Sequence, residues 1–205
     1  MPRSGAQARA RLREAALDLY AERGYDATTT AEIAARAGVT ERTYFRHFAD
    51  KREVLFDGEA ELREVMIAPI AAAQDAPSPL SLVLRAYTAA IPMFVAGRPV
   101  AERRAQIIAV TPALQERAHA KSAALTEALI SALEQRGIPE PTARLATRAG
   151  AAIFERASRA WTGTSAQDLA ALITQASHEL RTLTWEAMPG PQALASLAAT
   201  ADDGA

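Results

Sequence analysis

The stretch from Thr28 to Lys51, TTTAEIAARAGVTERTYFRHFADK, constrains this chain more than any other, because it spells out two short helices and the sharp turn between them. Thr29 followed three residues later by Glu32 is a capping-box pattern, in which a hydroxyl and a carboxylate satisfy the free N–H groups of a helix start. Ile33, Ala34 and Ala37 then recur at helical spacing as an apolar stripe. Gly38 stands where a chain leaving a helix turns through positive φ, and Val39 can fold back on the turn just left. Thr40 caps the second helix, whose apolar residues Tyr44 and Phe48 fall four apart and face inward. That leaves Glu41, Arg42, Thr43, Arg46 and His47 on the outer surface. Small Ala34 and Gly38 let the two helices cross closely, and bulky Tyr44 fills the crossing.

A helix pair of this shape offers its second helix to a DNA major groove. Arginines such as Arg42 and Arg46 pair with guanine edges, and a threonine such as Thr43 meets a base edge or a thymine methyl. Glu41 either accepts a bond from cytosine or merely complements the helix dipole. The start of the first helix, at Thr29 and Thr30, presents free N–H groups suited to a phosphate. Arg3, Arg9, Arg11 and Arg13 are either further phosphate contacts, weakening as salt rises, or ordinary solvated arginines.

The text ARARLREAALDLYAERGYDATTT, continued by AEIAARAGVTERTYFRHFADKREVL, resembles the tetracycline-repressor (TetR) family of bacterial transcription regulators over the first fifty or so residues. The resemblance implies a two-domain, all-helical homodimer with an N-terminal domain for double-stranded DNA and a C-terminal domain for a small molecule. It also implies a ligand-responsive repressor that binds a palindromic operator and is released by its effector. Phe45 stands where the family usually has a tyrosine that hydrogen-bonds phosphate, and its ring cannot donate that bond. Lys51 falls where the family's lysine typically touches the DNA backbone. The stretch AERRAQIIAVTPALQERAHAKSAALTEALISAL is similar to regulators of this family with an acyl-CoA-like ligand-binding domain, which implies a long apolar effector.

Composition is consistent with that outline. Residues 1–52 carry ten Lys or Arg against seven Asp or Glu, and the rest thirteen against seventeen, so the basic end is the one with the helix pair. There is no cysteine, hence no disulfide framework or thiolate metal site. His47, His119 and His178 form no H-E-x-x-H spacing, and neither a glycine-rich phosphate loop nor a G-x-S-x-G elbow is present, so neither enzyme activity, cofactor nor metal is expected. No apolar run reaches the roughly eighteen residues of a membrane span, and Met1 to Ala10 lacks a signal peptide's apolar region, so a cytoplasmic protein is expected. Arg greatly outnumbers Lys, which is attributed to base composition.

Along the chain almost everything reads as helix, and the predicted class is all-α. Helix 1 carries Ala8, Leu12, Ala15, Ala16, Leu19 and Tyr20 on one stripe and ends at Gly24. Asp50 and Glu53 make a second capping-box pattern, predicting a helix 4 that starts beside the DNA and runs through Leu55, Phe56, Leu62, Val65 and Met66. After a turn-rich Gln74 to Pro79, helix 5 should run to about Val95, kinked or broken by Pro92, with a short helix through Ile107 and Ile108 beyond Gly97 to Pro99. Thr111 and Pro112 open a long amphipathic helix marked by Leu114, Ala118, Leu125, Leu129 and Leu133 and stopped by Gly137. Two more helices cover about Thr142 to Ala160 and Ser165 to Met188. The expected organisation is a DNA-binding helix-turn-helix domain over 1–52, an effector-binding and dimerisation bundle over 53–188, and a flexible tail over 189–205.

In the last two helices, Leu145, Ala152, Ile153, Leu169, Leu172, Ile173, Ala176, Leu180 and Leu183 form either a dimer seam or an ordinary internal core, and Ala149 would permit close helix approach. Met66, Tyr87, Met93, Phe94, Phe154 and Trp161 are bulky groups in an alanine-rich bundle and either line an effector pocket or simply pack. The alternative to a regulator is a helical adaptor that uses the same surface for protein.

Overall fold

The computed structural model describes residues 3–75, 78–163 and 165–185. The tail expected over 189–205 and the last turn expected up to Met188 lie outside them. Among the described residues there are eight α-helices, one 3-10 turn and no strand: α1 (Arg3–Arg23), α2 (Thr30–Arg36), α3 (Glu41–His47), the 3-10 turn (Glu53–Phe56), α4 (Glu59–Ala72), α5 (Pro79–Ala109), α6 (Pro112–Glu134), α7 (Glu140–Ala160) and α8 (Ala166–Trp185). The all-α expectation holds.

The chain divides into two compact units, 1–148 and 149–205. In the first, α1 closes on α2 and α3 because their apolar stripes coincide. Leu12, Ala16, Leu19 and Tyr20 of α1 share one cluster with Ile33, Ala34 and Ala37, and with Tyr44 and Phe48. That cluster runs on into Val54, Leu55 and Phe56 of the 3-10 turn, Ile107 of α5 and Leu114 of α6. Outside the apolar contact, Arg103 of α5 pairs with Glu14 and Asp18 of α1, and the Arg104 guanidinium donates to the Leu55 carbonyl at 3.3 Å.

Two predicted helices are drawn differently. Helix 4 does not start at Asp50. The Asp50 carboxylate does accept from the backbone N–H groups of Arg52 and Glu53, at 2.7 and 3.1 Å. The Glu53 carboxylate does not reach back, however; it is held by Arg117 and by Lys121, at 2.5 and 3.1 Å. Half a capping box thus starts only a 3-10 turn, Asp57 turns extended, and α4 begins after Gly58, whose φ of +89° only glycine adopts cheaply. The Asp57-Gly58 dipeptide was the available signal for that break.

Helix 5 and the short helix after it are instead one helix of 31 residues that carries Pro92 and Pro99 inside it. Each proline removes one backbone bond, and burial of Leu82, Val83, Ala86, Tyr87, Ala90 and Ile91 along one side offsets that loss. Joining the two runs also yields a helix long and apolar enough to cross a membrane by length and composition, with an 18-residue window of mean hydropathy 1.5, against the expectation from the sequence. A third of that window is buried within the chain.

In the second unit, Ile153, Ala157, Trp161, Leu169, Ile173 and Ala176 are buried, and Arg156 of α7 pairs with Glu179 of α8 at 3.1 Å. Of the expected dimer seam, Ile153, Leu169, Ile173 and Ala176 therefore belong to the interior of the chain itself. Leu145 and Leu183 stay 70% and 74% exposed, Ala152 is exposed, and Ala149, Leu172 and Leu180 are half-buried.

Candidate nucleic-acid interface

The recognition surface is built from its caps. The Thr29 hydroxyl accepts from the Glu32 N–H at 3.2 Å, while the Glu32 carboxylate accepts from the Thr29 N–H at 2.8 Å, a complete capping box. Thr29→Ala should cost about 1 kcal/mol of stability, read as a lower urea midpoint with an unchanged slope. At the other end of α2, Gly38 takes φ +67°, and the N–H groups of Gly38 and Val39 close onto the carbonyls of Ala35 and Ala34, each at 3.0 Å. The chain reverses there, and the Thr40 hydroxyl, accepting from the Thr43 N–H at 3.2 Å, starts α3.

Tyr44 anchors α3. It is fully buried, its ring meets Phe48 at 5.6 Å, and its hydroxyl donates to the Asp50 carbonyl at 3.1 Å. Burial pushes the Tyr44 phenol well above the usual tyrosine range, so it stays a donor at any working pH. With that side locked inward, Glu41, Arg42 and Arg46 are exposed and Thr43 is half-exposed. Phe45 is 51% exposed and stands edge-on to Tyr44 at 5.5 Å. Among the described residues, neither Arg42 nor Arg46 takes part in an internal ion pair, which leaves both forks available to an outside acceptor.

The remaining predicted contacts are arranged otherwise. His47, expected on the outer face, is half-buried, and its Nε2 is buried without a partner. Desolvation first, then the cations Arg46 and Arg9, holds its pKa below the usual histidine value. The neutral ring therefore contributes stability that is fully present above about pH 6.5 and is lost as pH falls through the lowered value. An NMR titration should place the His47 midpoint below that of ordinary histidine; a midpoint above it would contradict the burial.

The hydroxyl of Thr29 donates to Glu32 at 2.9 Å and that of Thr30 to Glu41 at 2.5 Å. Both hydroxyl protons are thus engaged, and of the N–H groups expected to meet a phosphate that of Thr29 donates to the Glu32 carboxylate. Through the second of these hydroxyl bonds Glu41 ties α3 to the start of α2. The Lys51 ammonium turns inward, donating to the carbonyls of Tyr25 and Thr28 at 2.7 and 2.9 Å. Of the arginines of α1, Arg11 is exposed, while Arg9 and Arg13 pair with Asp57 at 2.5 and 3.5 Å; the side chain of Arg3 lies outside the described residues.

Of the expected effector set, Met66, Tyr87 and Trp161 are buried, and Met93, Phe94 and Phe154 are half-buried. A groove of about 650 Å³ opens elsewhere, between α1, the end of α3 and the start of α4, beside Arg9, His47, Phe48, Asp57 and Lys121. None of the six lines it.

Comparison with known proteins bears on the same residues. Residues 12–57 match the family described as bacterial regulatory proteins, tetR family. The HTH-type transcriptional regulator TcmR of Streptomyces glaucescens is 34% identical over 76 residues, 37% of this chain and 34% of that protein. The HTH-type transcriptional repressor BepR of Brucella suis is 35% identical over 82 residues, 39% of each. These alignments thus span little more than a third of the curated relatives. The TetR-family repressor FadR of Thermus thermophilus, solved in complex with lauroyl-CoA, is alike in fold along most of the chain: TM-score 0.52, 21% identity, 89% of this chain and 97% of that one.

Proposed function

We propose, from the match of residues 12–57 to the tetR family of bacterial regulatory proteins, that this chain is a transcriptional regulator that holds a palindromic DNA operator as a homodimer. Residues 1–52 act as the DNA-binding domain, and 53–188 carry effector binding and dimerisation. The observation that carries it is that Arg42 and Arg46, on a helix whose opposite side is locked by Tyr44, are exposed and make no ion pair among the described residues. Arg42, Thr43 and Arg46 read base edges. A single α3 spans only a few base pairs, so affinity comes from two copies one helical turn apart, about 34–36 Å. Exposed Leu145 and Leu183 supply apolar surface for pairing.

The regulator acts in the cytoplasm as a repressor, released by a small apolar effector of the acyl-CoA class. Support for the effector is the fold shared with a structure that holds lauroyl-CoA and the bulky Tyr87, Met93 and Phe94 on an alanine-rich α5. Only an effector that prefers the off-DNA arrangement can cause release. The shared core of α1–α3 with Ile107 and Leu114 gives such a shift a route to the head, with Gly58 as the point where α4 can pivot.

The test is a titration of the duplex upstream of the protein's own reading frame, with footprinting and sedimentation. Two chains per duplex, a two-fold-symmetric footprint and binding that weakens steeply with salt are expected. A chain that stays monomeric and binds that duplex no better than unrelated DNA would leave the adaptor reading in its place.

A further inference from the structure

Among the described residues, the large apolar side chains that stand in solvent are Phe45, Val110, Leu145 and Leu183. Val110 ends α5, Leu145 lies on α7 and Leu183 on α8. Phe45 alone belongs to the head, on the outward face of α3, one turn after Glu41 and Arg42 and next to Arg46. Its neighbours on that face are polar, and its own ring carries no charge and no hydrogen-bonding group. Nor is the ring loose. It stands at 81° to the Tyr44 ring with 5.5 Å between centres, a favoured edge-on pairing. Tyr44 is fixed in turn by Phe48 and by its bond to the Asp50 carbonyl. The core of the head therefore aims an apolar group outward from the middle of the recognition helix.

We propose that Phe45 reads a thymine in each half-site of the duplex through the 5-methyl group of that base. Arg42 and Arg46 are exposed and make no ion pair among the described residues, so the surface that carries the ring is complementary to a polyanion. In the major groove of DNA the base edges offer hydrogen-bond donors and acceptors, and the thymine methyl is their one apolar substituent. A ring without a hydrogen-bonding group gains from that substituent alone. Against the methyl, both surfaces leave water. Against an amino group or a ring nitrogen, the same ring displaces water and returns no bond. Lacking a hydroxyl, Phe45 gives up a contact that only fixes register on the phosphates, and it keeps one that tells bases apart. Thr43 carries a methyl as well, half-buried with its hydroxyl 3.1 Å from that of Thr40, so the test separates the two side chains.

The inference rests on the DNA-binding reading, and its test tells the two failures apart. Deoxyuridine differs from thymidine by the methyl alone, with base pairing and backbone charge unchanged. Each thymine in the footprinted part of the upstream duplex is replaced in turn, and binding is followed by fluorescence anisotropy. The wild type should lose about fourfold at one thymine in each half-site and about fifteenfold when both are replaced, which is what burying one or two methyl groups is worth. Phe45→Ala should bind the thymine and uracil duplexes equally, with the wild-type slope of log K against log salt and a Tm within about 2 °C of the wild type. Thr43→Ser, which removes only its own methyl, should keep the full wild-type penalty. A wild type that holds the duplex specifically but is indifferent to every uracil overturns the contact and leaves the regulator reading standing. So does a Phe45→Ala variant that still tells thymine from uracil. A wild type that binds no duplex overturns both and leaves the exposed ring to a protein partner.

Discussion

Truncating Tyr44 to alanine should lower stability by about 3–5 kcal/mol, the range for removing a large aromatic group from a packed core. At roughly 2–4 °C per kcal/mol for a chain of this size, the head should melt about 10 °C earlier. The side chain is fully buried, packs against Phe48 and holds the Asp50 carbonyl, so its loss opens a cavity and leaves a carbonyl unpaired together. Tyr44→Phe separates the two parts: it keeps the ring and should cost only about 1 kcal/mol. Thermal melts followed by circular dichroism give both values. Equal melting of wild type and Tyr44→Ala would mean that α3 is not held by this residue.

The second large effect concerns binding alone. Arg42→Ala and Arg46→Ala should each weaken operator binding by about 1–3 kcal/mol, on the order of 10- to 100-fold. Stability should move by no more than about 0.5 kcal/mol, because both side chains are exposed and make no internal ion pair among the described residues. Fluorescence anisotropy against the upstream duplex, paired with urea melts, measures the two quantities separately. A loss of binding accompanied by an equal loss of stability would place these arginines in the fold and not in the interface.

The head was legible in the sequence because its signals are local. Capping needs only Thr29, Glu32 and Thr40, the reversal only Gly38, and the inward side of α3 only the four-residue spacing of Tyr44 and Phe48. Failures occurred where a long-range partner decided the outcome. Glu53 looked like the second half of a capping box until Arg117 and Lys121, distant in sequence, claimed its carboxylate. His47 read as an outward residue because the helical period alone does not place α1 beside it. Pro92 and Pro99 read as breaks because propensity weighs one lost hydrogen bond but not the buried side of a 31-residue helix. Lys51 carried its expected contact by resemblance and Thr30 by its place at a helix start, and their internal bonds depend on the α1–α2 turn and on Glu41, which no local pattern joins to them.

The most direct test of a base-reading α3 is the sequence preference of Arg46→Ala, measured over an operator varied one base pair at a time. Preference should relax at one position in each half-site while the others, and their symmetry, are retained. A variant that weakens uniformly across every sequence, or that discriminates as sharply as the wild type, would contradict it.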